Sequence, residues 1–216
     1  MFHNTHVYLA TRLYKSYDNL LMLGAFLPDI AITKIIQWEG GLHGKKATLM
    51  FKKFTQKNPK YVTLYYGVNA HNIIDYITHT SYKGGKGYAF QNNTELLQLV
   101  GKYYDLDKKD AESKAHNYIE SAVDYLLLKD QLKIPFQIKR AIKQTDKKEV
   151  AALLSFYFGV NQKQFQKSLL DFFELFTKYD FRIYESWIIF WEELEKLLNL
   201  KNIGNKNRKK LFDKAL

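Results

Sequence analysis

Apolar residues recur at helical spacing over most of this chain, and only three prolines interrupt them. Repeated strand alternation is missing. The expected fold class is therefore all-α, and 216 residues suit a single multi-helix domain with a real buried core. Within it, 1–130 forms the half that carries the chemistry below, and 131–216 adds further helices. The pattern predicts a first helix over Thr5–Tyr17, with Val7, Leu9, Ala10 and Leu13 on its buried side. A second runs from Asn19 to Leu27 and stops near Pro28. Gly40, Gly41 and Gly44 mark a loop around His43, followed by a helix over Ala47–Gln56. Tyr61–Thr80 is apolar enough for a central, buried helix. A glycine-containing loop, Ser81–Tyr88, leads to helices over Asn93–Tyr103 and Lys108–Leu128, and Ile134–Leu216 holds four or five more.

The chemistry-bearing residues lie in the middle of that pattern. His71, Asp75 and His79 recur at intervals of four. At about 100° per residue they fall in a stripe roughly 80° wide on one helix. His116 and Glu120 repeat the interval on another helix. The two outer histidines of the first set are about 12 Å apart along the helix axis, too far for one ion to hold both comfortably. Each is therefore expected to serve its own metal, with Asp75 as a bridge. Val68, Ala70, Ile73, Ile74 and Ile77 surround Asp75, and an unpaired carboxylate in so apolar a segment is costly. A metal removes that cost. With no cysteine in the chain, every metal ligand must be histidine or carboxylate.

The charge balance, Lys+Arg 33 against Asp+Glu 22 for a net +11, draws anions such as phosphoesters, nucleic acids or anionic lipid surfaces. Part of the excess sits in a basic C-terminal stretch (Lys201, Lys206, Arg208, Lys209, Lys210, Lys214), which reads as a solvated end. Leu20–Leu27, the longest apolar run near the start, is too short to cross a bilayer, and a secretory signal is not evident. The expected location is cytoplasmic.

Taken in order, these residues resemble the zinc-dependent phospholipase C family, which is related to the single-strand-specific zinc nucleases. Its pattern of an early His, a Pro-Asp with a His some fourteen residues on, a His-x3-Asp with a further His, and a His-x3-Glu falls on His6, Asp29, His43, His71, Asp75, His79, His116 and Glu120. In secreted members the further His follows the Asp by six residues; here His79 follows Asp75 by four, which keeps it on the same helical face.

The resemblance implies an all-α fold with two or three zinc ions in a cleft. It assigns His43, His71 and Asp75 to one zinc, and His79, His116 and Glu120 to a second. His6 would hold a third, with Asp75 bridging, and the Met1 amine or His3 would stand in for the N-terminal ligand of secreted members. Asp29 would be a further ligand or the catalytic base. It implies a phosphoester hydrolase in which metal-activated water attacks phosphorus, on a phospholipid or a nucleic acid or nucleotide, with peripheral membrane contact conceivable for a lipid substrate. Lys83 and Lys86, after the central helix, are candidates to receive the phosphate. The rival expectation is a helical protein that binds metal without catalysis. The chain carries no His-Glu-x-x-His, no adjacent His-Asp pair, no Glu-x-x-His and no phosphate-cradling Gly-x4-Gly-Lys-Ser/Thr.

Overall fold

Helix-ending chemistry sets the architecture. A computed structural model describes residues 3–38, 41–80, 85–91 and 94–216. Twelve α-helices and two 3₁₀ segments occur among the described residues, with no strand beyond an isolated bridge between Thr80 and Lys86. The α-helices are α1 (His3–Tyr14), α2 (Asn19–Gly24), α3 (Gly44–Gln56), α4 (Val62–His79), α5 (Tyr88–Gln91) and α6 (Thr94–Tyr104). They continue as α7 (Lys108–Asp130), α8 (Ile134–Gln144), α9 (Lys147–Phe158), α10 (Gln162–Thr177), α11 (Tyr184–Leu197) and α12 (Gly204–Ala215). Asp18, Asp107, Asp146 and Asn161 cap α2, α7, α9 and α10 by accepting from first-turn N–H groups. Gly159, in the left-handed region at φ +66°, closes α9.

The chain forms two compact units. In the first, His3–Ile74 joins Lys133–Lys178. There α10 packs on α9, on α8 and on the 3₁₀ segment Leu27–Thr33, while α2 packs on α8. Phe26 lies among Phe172, Phe173 and Phe176 of α10, with ring centroids 5.8, 6.1 and 6.2 Å away. In the second unit, Asp75–Leu132 joins Tyr179–Leu216. Here α7 contacts α5, α6 and α12, and Tyr118 stacks flat on Trp191 at 3.8 Å. Trp191 also donates to the Ser121 hydroxyl at 3.1 Å.

Several expectations are corrected. Leu9 and Leu13 of α1 face solvent, 38% and 53% exposed, while His3, Asn4 and His6 are buried with Val7 and Ala10. Pro28 does not simply stop α2. That helix ends at Gly24, and Pro28 opens the 3₁₀ segment, where its missing N–H is no loss. Two isoleucines expected around Asp75, Ile73 and Ile77, are 40% and 64% exposed, so α4 is buried on one side only. A short α5 begins at Tyr88, where a loop was expected to continue. The basic C-terminal stretch is no solvated end either. It contains α12, whose Leu211 and Phe212 are buried, and Arg208, 1% exposed, pairs with Glu195 through Nη2–Oε2 at 2.6 Å and Nε–Oε1 at 2.9 Å.

Candidate metal centre

Within each unit lies one group of three metal-donor residues. In both, one ligand atom per residue lies within 4.8 Å of the others.

The first comprises Asp29, His43 and His71. Asp29 sits in the Leu27–Thr33 segment that the α10 aromatics hold through Phe26. His71 comes from α4 and is fully buried. Its Nδ1 lies 2.9 Å from the Ala25 carbonyl; since a carbonyl only accepts, Nδ1 carries the proton and Nε2 keeps its lone pair. That contact depends on glycine. A Cβ at Gly67 would lie 2.2 Å from the Leu21 carbonyl, and one at Gly24 2.2 Å from that of Leu64, so α2 and α4 meet backbone to backbone one turn before His71.

His43 precedes α3 on a loop held by Asn72, the residue after His71. The Asn72 side chain accepts from the Gly44 N–H at 2.5 Å and donates to the Leu42 carbonyl at 2.7 Å. His43 Nε2 lies 3.5 Å and His71 Nε2 3.9 Å from Asp29 Oδ1. Burial alone would raise the Asp29 carboxyl, but the electrostatic influence of the His71 ring and the His43 hydrogen bond hold it down at about 2. His6 stacks on His71 with centroids 4.1 Å apart.

The second group comprises His79, His116 and Glu120. His79 ends α4, and the other two lie one turn apart on α7. His79 Nε2 lies 2.8 Å from Glu120 Oε1, and the two imidazoles meet edge to face at 5.2 Å. Phe90 of α5 covers both rings, at 5.5 and 4.7 Å. Gly87 N–H donates to the His79 carbonyl at 3.0 Å, in a space where a Cβ would lie 2.2 Å from the Thr78 carbonyl. Burial pushes the His116 ring down to about 4. Burial would lower His79 too, but the Glu120 hydrogen bond outweighs it and raises that ring above the ordinary histidine value. Glu120 is held below the usual carboxylate range: burial opposes this, and nearby positive charge and His79 prevail.

Asp75 lies on α4 one turn from each of His71 and His79. Four of the eight predicted donors are almost fully enclosed: His6 and His71 at 0%, Asp29 at 5% and Glu120 at 8% exposure. His3, a suggested stand-in ligand, belongs to none of the donor groups; its ring packs on Phe176 at 4.4 Å and its Nε2 faces Asn4 at 3.2 Å. The Met1 amine and Lys83 lie outside the described residues. Lys86 pairs with Glu112. Asn72 was missed from sequence. Its one signal is adjacency to His71, and a lone His-Asn says nothing about which loop the amide will grip.

The donors suit zinc by type, being imidazole and carboxylate only. In the first group, Asp29 Oδ2 and His43 Nδ1 are buried polar atoms with no hydrogen-bond partner among the described residues, as expected where donors are arranged for something other than each other. No curated protein and no solved structure matches the chain. The family model described as zinc dependent phospholipase C matches residues 2–172. Because that match takes in both donor groups and continues through α8 and α9, the chain belongs to the zinc-dependent phospholipase C family.

Proposed function

We propose that the protein is a zinc-dependent phosphoester hydrolase whose substrate is a phospholipid headgroup ester. The observation that carries this reading is the pair of donor triads, His79–His116–Glu120 and Asp29–His43–His71, each drawn within 4.8 Å from residues distant in sequence. Each triad would hold one zinc ion. His6, against His71, and Asp75, one turn from His71 along α4, would be the remaining donors. Zinc held there supplies Lewis acidity and lowers the pKa of water towards ~7.

The protein's own residues set the conditions. The Ala25 carbonyl fixes the His71 tautomer, so Nε2 is offered without a proton having to leave it. Asp29, held at about 2, is an anion at neutral pH and a weak base, which suits a ligand better than a proton acceptor. Glu120 and His79 form a short pair that must open for either to ligate, so binding releases the proton they share.

The test is release of phosphorylated headgroup from phospholipid, with a chromogenic phosphodiester and single-stranded DNA in parallel, using protein purified without chelators. Phospholipid turnover that chelator abolishes and zinc restores is the expected result. Turnover that survives chelation overturns the metal reading, and turnover confined to DNA moves the substrate to nucleic acid. Asp75→Asn is expected to lower bound zinc and abolish turnover; full zinc content in that variant would count against Asp75 as a ligand.

A further inference from the structure

Between Gly41 and Ile74 the chain has six lysines and no acidic residue. Most of them lie on α3, the helix that begins immediately after His43. Its buried side is Thr48, Phe51 and Thr55. On the opposite side Lys45, Lys46, Leu49, Met50 and Lys53 line a shallow groove. At about 100° per residue these five positions span roughly 140° of the helix. Leu49 and Met50 are 50% and 54% exposed, so two large apolar side chains stand in water on the same face as three ammonium groups. None of the three lysines forms an ion pair among the described residues. At the entry to α3, Trp38 is 48% exposed and lies 4.8 Å from the His43 ring.

Solvated lysine faces are common, and exposed Leu or Met residues are common singly. The combination is different. Two exposed apolar side chains set on either side of lysines on one helix face, with an indole near its entry, have the amphipathic chemistry of a lipid interface. We propose that this face of α3 docks the protein on an anionic phospholipid bilayer, with Leu49 and Met50 entering the acyl boundary and Lys45, Lys46 and Lys53 meeting lipid phosphates. Charge complementarity selects that occupant: a protein groove would need acidic residues placed against each lysine, whereas an anionic bilayer offers phosphate everywhere. The inference rests on the hydrolase reading only for its purpose, since docking here would set the first donor group, which contains His43, beside its substrate.

Vesicle sedimentation tests it, with phosphatidylcholine alone against phosphatidylcholine containing anionic phosphatidylglycerol. Binding to the anionic vesicles, weakening as salt rises, is expected. Lys45→Gln/Lys46→Gln/Lys53→Gln should reduce it on the order of a hundredfold, at about fivefold per lysine. Leu49→Ser/Met50→Ser should reduce it by roughly tenfold at unchanged charge. Both variants should hydrolyse a water-soluble chromogenic phosphodiester as the parent does. Unchanged vesicle binding in either variant overturns the proposal. So does tight binding to a single-stranded oligonucleotide that needs the lysines but not Leu49 and Met50. If vesicles bind as described while no ester is hydrolysed, the docking face stands and the hydrolase reading fails.

Discussion

Asn72 shows how a side chain outside the candidate donor set can position a member of it. Its amide grips both sides of His43, at Leu42 and Gly44. Asn72→Ala would leave a backbone acceptor and a backbone donor without that partner, at about 1–3 kcal/mol. It should also weaken zinc binding at the first donor group by roughly 10–100-fold, as loss of ligand-orienting partners does. Competition with a calibrated chelator measures this, and unchanged affinity would mean that the loop holds itself. The spacing of four made His71, Asp75, His79, His116 and Glu120 legible before any coordinates, because helical periodicity alone aligns them. Asp29 and His43 were visible only through the family resemblance. Whether Asp29 would join His43 and His71 was hidden, since a 3₁₀ turn and a loop carry no periodic signal.

At the scale of elements, glycine placement decides which helices approach. Gly67→Ala puts a methyl 2.2 Å from the Leu21 carbonyl, so α2 and α4 must separate. A loss of about 2 kcal/mol or more follows, on the order of 5 °C in melting temperature for a chain of this size. Gly101→Ala on α6 is the contrast. Its Cβ would meet nothing nearer than 3.5 Å, so replacing a mid-helix glycine there should stabilise by about 0.5–1 kcal/mol. Equal shifts for the two variants in thermal melts would refute the close-approach argument. Most helices were legible from sequence, and boundaries erred where capping or a tight turn overrode the pattern, as at Gly24 and Pro28. The solvent side of α1 was misjudged because Leu9 and Leu13 look like core, whereas the buried stripe runs through His3, His6 and Val7. Nothing local marks Arg208 as the one cation of its stretch that pairs, buried, with Glu195.

At the scale of the whole molecule, the buried imidazoles set the response to acid. His3 and His116 are pushed by burial from 6.5 down to about 3 and about 4, so both are neutral in the folded protein where the unfolded chain takes up protons. The unfolded state therefore binds more protons below pH ~6.5, and stability falls with pH. His116 contributes down to about 4 and His3 down to about 3, each by up to ~1.4 kcal/mol per pH unit. Asp29, lowered from 3.8 to about 2, adds a loss of the same sign over that lower interval. Urea midpoints of the metal-free protein should drop steadily from pH 6.5 to 4.5; a flat profile would mean that these rings are solvated. The division into a metal-bearing half and extra helices follows the chain, but the two compact units do not. Each takes its helices from both sides of Leu132: α8, α9 and α10 complete one, α11 and α12 the other. A fragment cut after Leu132 would keep all eight donor residues yet expose the surfaces that Phe172, Phe176, Trp191 and Phe212 cover. Such a fragment should aggregate rather than bind zinc, which makes residues 133–216 a folding requirement and not an accessory.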